Sequence, residues 1–199
     1  MDYPAYVTRE LELSATIANG DSGMKAKRVQ EWLNFHGFLT PVDGEFHARF
    51  SAIARTYRYR LISRPVRPAL AARHAGWYHA ALDVAAMRDA AQGLIGEHDF
   101  SAFRAAECQA KTPVRTVHSL SIEQHADEID FVIRANAFLQ HMVRNIVGSL
   151  LYVGAGRQPP GWIAAVLASR DRKQAAPTFA PEGLYLERID YDAKWQLPQ

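Results

Sequence analysis

An α+β fold follows from three features of the chain. Thr56 to Ile62 alternates, with Tyr57, Tyr59 and Leu61 on one side and Thr56, Arg58 and Arg60 on the other, the period of a half-exposed strand. Val114 to Gln124 and Glu128 to Ala135 read as two further strands about a polar turn, with Ile129, Phe131 and Ile133 on one face. The run beginning at Ala135 repeats instead at helical spacing, where Leu139, Val143, Ile146, Leu150 and Val153 make one core stripe. Long strands and amphipathic helices in one chain predict helices packed on a sheet.

The remaining elements follow in order. Ahead of the sheet, Asp21 or Ser22 caps a small helical segment whose apolar face is Val29, Trp32 and Leu33 and whose end is Gly37. Arg64-Pro65-Val66-Arg67-Pro68 is a loop. Asp83 caps a helix through Ala91 that Gly93 closes. Gly154-Ala155-Gly156 ends the long helix, and Pro159-Pro160 opens a shorter one through about Ser169. Leu184 to Tyr191 returns as a last strand.

At 199 residues there is room for one ordinary domain, 46–199, and a small appendage, 1–45. Residues 1–45 hold four basic and seven acidic side chains, a balance of −3, against +5 for the remainder, so composition places a seam near Glu45 and Phe46. A single cysteine, Cys108, rules out an intramolecular disulfide and any cysteine-based metal site, and the eight histidines show no metal-ligand spacing. The start lacks a basic region followed by an apolar core, and no run is long enough to span a membrane. These features predict a cytoplasmic protein.

Net charge is only +2, but its distribution is uneven. Between Phe46 and Leu82 lie seven arginines and no acid, interleaved with Tyr57, Tyr59, Trp77 and Tyr78. Such a stripe suits phosphate contact and base stacking, and equally a solvated basic face. The helical run adds Arg144 near Ala137, His141 and Gly148, on the side opposite the core stripe. Gly148, one turn away, lets another backbone or a ligand approach the guanidinium closely. A buried arginine is costly unless it meets a carboxylate or phosphate. Spacing alone is also satisfied by an arginine that reaches the surface or closes a structural ion pair.

Five ordered blocks carry a resemblance. They are Phe46-His47-Ala48-Arg49-Phe50-Ser51-Ala52 with Arg55-Thr56-Tyr57-Arg58-Tyr59; Gly96-Glu97-His98-Asp99-Phe100-Ser101-Ala102-Phe103; Pro113-Val114-Arg115-Thr116-Val117; the Arg144 helix; and Glu182-Gly183-Leu184-Tyr185-Leu186. Over about three-quarters of its length the chain resembles the C-terminal half of the tRNA pseudouridine synthase A family. The resemblance implies an antiparallel sheet with helices on one face, half of a two-lobed enzyme. It implies that Tyr57 packs against the target base and Arg144 pairs with the catalytic aspartate, with Arg49, Arg55, Arg58 and Arg60 on RNA. It also implies no cofactor, a homodimer, and the anticodon stem-loop of tRNA as substrate.

One departure is large. The family's nucleophilic aspartate lies in an Arg-x-Asp-x-Gly-Val-His-Ala motif upstream of Phe-His-Ala-Arg, and no such motif occurs here. Asp43, in Val42-Asp43-Gly44-Glu45-Phe46-His47-Ala48, has the right distance from His-Ala but the wrong flanks. In its place, Gly20-Asp21-Ser22-Gly23, Lys27 to Leu33, His36-Gly37-Phe38 and Pro41 to Phe46 resemble a peptidoglycan-binding-type helical repeat. The expectation is a chimera, natural or artificial, that binds RNA without catalysis. The alternatives are an active uridine isomerase with an aspartate from elsewhere, and a glycan-binding module in 1–45.

Overall fold

The computed structural model describes residues 46–195. The small helical segment expected in 1–45, and Asp43 with it, lie outside the described residues. The chain divides into two units, Ala52–Asp190 and a smaller one formed by the chain ends. In the smaller unit Tyr191 donates from its hydroxyl to the Ala48 carbonyl at 2.8 Å, and the Phe46 ring lies 5.2 Å from the rings of both Tyr191 and Trp195.

Alternation builds the sheet of the larger unit. β1 (Ala52–Ser63) pairs antiparallel with β5 (Glu128–Ala135), β5 with β4 (Val114–His125), and β4 with β3 (Gly96–Asp99). β2 (Gly76–Tyr78) and β6 (Leu184–Tyr191) also pair with β1, giving six strands. The β1–β5, β5–β4 and β4–β3 pairings are antiparallel as expected, and β2 runs parallel to β1. The return from β1 runs out through residues 64–75 and back, so the next strand enters in the same direction. Tyr59, Leu61, Ile129, Phe131 and Ile133 are all fully buried, as the period of two requires.

Among the described residues three α-helices complete the core. Asp83 accepts from Ala86 N at 2.9 Å and caps α1 (Val84–Gln92), a contact of about 1 kcal/mol. α2 spans Met142–Gly154 and α3 spans Trp162–Ser169. α2 starts later than the apolar spacing suggests. Asn136 Oδ1 accepts from Thr116 N at 3.0 Å and Ala137 N at 2.7 Å, holding the chain in an extended exit from β5. Asparagine side chains compete in this way with helical hydrogen bonds. His141 then takes a left-handed φ of 59° immediately before the first turn. Ala137 and His141 therefore do not share a helix face with Arg144, although every residue of the expected core stripe is buried.

The opposite face of the sheet is a lattice of charges. Arg58 reaches Asp130 at 2.8 Å and Glu187 at 2.6 Å, and Arg60 reaches Glu128 at 3.1 Å. Arg134 and Arg188 both hold Asp190, whose side chain is only 10% exposed. Burial would raise the Asp190 carboxyl, but hydrogen bonds from Arg134 and Arg188, with their charges, outweigh it and hold the group below its ordinary value of 3.8. That contribution to stability is present above the ordinary value and is lost as pH falls through the lower, folded one. Urea denaturation between pH 5 and about pH 2 should show a decline that Asp190→Asn flattens; an identical acid limb in the variant would contradict the lattice.

Two glycines set close approaches. Gly183 has φ +98°, and a Cβ there would overlap the Arg60 carbonyl and Gly76 N, both backbone atoms. Gly156 has φ +67° with nothing within 4 Å. Left-handed strain costs about 1–2 kcal/mol for a side-chain-bearing residue, and overpacking adds roughly 1–3 kcal/mol. In chemical denaturation Gly183→Ala should therefore destabilise at least twice as much as Gly156→Ala, and equal losses would show that the β1–β6 approach is looser than described.

Candidate active site

Two aromatic pairs stand on one side of β1, one with the chain entering α2 and one with residues 177–183. Tyr57, half-buried on β1, meets Phe138 edge-on with ring centroids 4.9 Å apart. Burial pushes its phenol above 10.0, with Arg55 pulling the other way. Two residues along, Tyr59 lies 5.9 Å from the Phe179 ring and donates to the Ala180 carbonyl at 2.8 Å. Burial pushes this phenol strongly up, with the Arg144 charge opposing it. Gly76 is required beside it, since a Cβ there would collide with the Tyr59 ring and hydroxyl.

Arg144 stands in the first turn of α2, half-buried. Its Nε donates to the Phe179 carbonyl at 2.7 Å, while Phe179 N donates to the Arg144 carbonyl at 3.3 Å. This reciprocal pair exists because Gly148 admits the strap: a Cβ at 148 would lie 2.5 Å from the Pro177 carbonyl oxygen. The small residue one turn from Arg144 thus receives another backbone. Among the described residues Arg144 has no carboxylate partner, and neither Nη donates a hydrogen bond. The guanidinium is oriented through Nε while both Nη groups stay available to an anion.

The other candidates divide. Arg55 donates from Nη1 to the carbonyls of Ala52 at 3.1 Å and Asn136 at 2.9 Å, tying β1 to the chain leaving β5. Arg58 and Arg60 lie on the opposite face of β1 from Tyr57, engaged by Asp130, Glu187 and Glu128. Arg49 lies in the smaller unit, its guanidinium 5.6 Å from the Phe50 centroid. Residues 46–82 contain no acid, but β5 and β6 supply the acids that a reading of one strand does not show.

Phe138 and Phe179 were not singled out by sequence. Phe138 sits among positions assigned to helix, and Phe179 follows no periodic pattern because it belongs to an irregular strap. Among the described residues no group of three His, Cys, Asp or Glu could hold a metal ion, and no helix is long and apolar enough to cross a membrane.

Comparison with known proteins gives the family. Residues 90–192 match the family model for tRNA pseudouridine synthase. A tRNA pseudouridine synthase A from Herminiimonas arsenicoxydans is 62% identical over 154 residues, covering 77% of this chain and 56% of that protein. The one from Janthinobacterium sp. (strain Marseille) is 52% identical over 192 residues, covering 96% of this chain and 71% of that protein. The one from Paraburkholderia xenovorans is 58% identical over 158 residues, covering 79% of this chain and 58% of that protein. This chain therefore spans little more than half the length of two of these relatives. With over half its residues matched by the model, and a relative 52% identical across 96% of it, the chain belongs to the tRNA pseudouridine synthase family.

Proposed function

We propose that this chain engages tRNA through Tyr57 and Arg144 and, as it stands, does not isomerise uridine. The observation that carries the reading is Arg144, oriented by Phe179 through Nε and without a carboxylate among the described residues. A guanidinium held by one nitrogen with two others available is a receptor for a carboxylate. In the reading proposed here that carboxylate is a catalytic aspartate, the group whose sequence motif this chain lacks.

Tyr57 takes the flipped uracil. Pseudouridine formation breaks the bond between base and ribose, turns the base and rejoins it through carbon, so the target must leave its stack. A half-buried ring held edge-on by Phe138 offers such a base a fixed wall. The substrate region is the anticodon stem-loop, and a homodimer would place two such walls against one tRNA. Both are extensions of the family resemblance.

The origin of residues 1–45 bears on activity. The Janthinobacterium relative aligns over 96% of this chain, so the aligned stretch includes residues on both sides of Glu45 and Phe46. That continuity favours a common origin over a join between unrelated genes, and leaves glycan binding resting on a short motif alone.

Incubation of the full chain with unmodified tRNA should give salt-sensitive binding and no pseudouridine. Turnover above background would contradict the reading, and its loss in Asp43→Ala would place a nucleophile at Asp43. Absence of both binding and turnover would contradict it from the other side.

A further inference from the structure

We propose that the loop from Arg64 to His79 is a second RNA-contact surface, in which Arg67 and Arg73 hold phosphates beside the Trp77 ring. This rests on the tRNA-binding reading above and extends it to a separate part of the molecule.

The fates of five of the seven arginines in the basic stripe point there. On β1, Arg58 and Arg60 are neutralised by Asp130, Glu187 and Glu128, and at the start of the loop Arg64 is paired with Asp127 at 3.3 Å. Arg67 and Arg73 are exposed, and among the described residues neither has a carboxylate partner. The loop itself contains no acid. Two charges of the 46–82 stripe, Arg67 and Arg73, are thus left in this loop without an acid to answer them among the described residues.

The loop also carries a rigid aromatic. Trp77 lies in β2, paired with Ile62, and its Nε1 donates to the Arg64 carbonyl at 2.9 Å. The Arg67 guanidinium lies 5.9 Å from its ring centroid. Further along, Tyr185 donates to the His74 carbonyl at 2.7 Å and Ser63 to the Ala80 carbonyl at 2.7 Å, so the loop is anchored at both sides. Arginines beside a fixed aromatic ring suit a nucleic-acid strand, whose phosphates and stacking faces alternate. Val66, 74% exposed, and Leu70, 99% exposed, could instead suggest a lipid surface. No amphipathic helix presents them, because residues 64–75 form bends and turns, and two side chains bury little in a membrane.

Geometry adds a requirement on the ligand. Ser63 is six residues beyond Tyr57 on the same strand, so the loop begins about 20 Å away at about 3.3 Å per residue. A mononucleotide at Tyr57 cannot reach it; a folded RNA can.

The test is binding of unmodified tRNA to the full chain at 50 and 200 mM salt, with an Arg67→Ala/Arg73→Ala double variant and a charge-matched Arg157→Ala/Lys173→Ala control. Each phosphate contact contributes about 0.9 to the slope of log affinity against log salt. Affinity of the wild type should therefore drop about tenfold more across this range than that of the loop variant, with the control behaving as wild type. A wild-type slope in the loop variant, or an equal change in the control, would overturn the loop while leaving tRNA binding intact. No binding by the wild type would overturn both readings. Loss of binding to phosphatidylserine vesicles with tRNA binding unchanged would assign the loop to a membrane and overturn the proposal. Unchanged thermal midpoints in both variants establish that the comparison is between folded proteins.

Discussion

The strap of residues 177–183 is clamped between a helix and a strand, and the orientation of Arg144 depends on that clamp. Phe179 exchanges two hydrogen bonds with Arg144, Ala180 accepts from the Tyr59 hydroxyl, and the Gly183 carbonyl accepts from Arg60 N at 2.8 Å. Each contact satisfies a polar group that burial would otherwise leave stranded. Glycines make the approach possible on both sides: Gly148 on the helix, and Gly76 and Gly183 at the sheet. The strap therefore does two things at once. It closes the core over Tyr59 and fixes one nitrogen of a guanidinium whose other nitrogens stay open.

Charge is divided between structure and recognition by the two faces of β1. Tyr57, Tyr59 and Leu61 lie on the side of the aromatic pairs and core, while Arg58 and Arg60 face a lattice in which acids from β5 and β6 answer them. Exposed pairs of this kind contribute little individually, and Asp190 gains its weight from being nearly covered beneath two arginines. Arg58 and Arg60 thus spend their charge on those acids, on the face of β1 opposite Tyr57. At the β1–β2 loop Arg64 meets Asp127, while Arg67 and Arg73 meet no carboxylate among the described residues.

Much of this fold was legible in the sequence. The caps of α1, the two strands about the polar turn and the last strand follow from local rules: Asp83 at an N-cap, period two in Ile129, Phe131 and Ile133, and a return at Leu184. The start of α2 did not, because apolar spacing continues through Leu139 while Asn136 and the left-handed His141 delay the helix. The parallel pairing of β2 was invisible for a similar reason: three residues carry no periodic signal. At the proposed site, Tyr57 and Arg144 rest on motif resemblance, and the close approach at Gly148 on its size. Phe138, Phe179 and the acids opposite Arg58 were not legible, since each becomes relevant only through contacts distant in sequence.

Anion recognition at this site depends on Arg144 being held through Nε with its Nη groups available. Nitrogen-resolved NMR of the Arg144 side chain, with acetate as the titrant, reads this directly. The expected result is an Nε proton protected from exchange by the Phe179 carbonyl, together with Nη signals that move as acetate binds. An Nε proton that exchanges like that of an exposed arginine, or Nη signals indifferent to acetate, would contradict it.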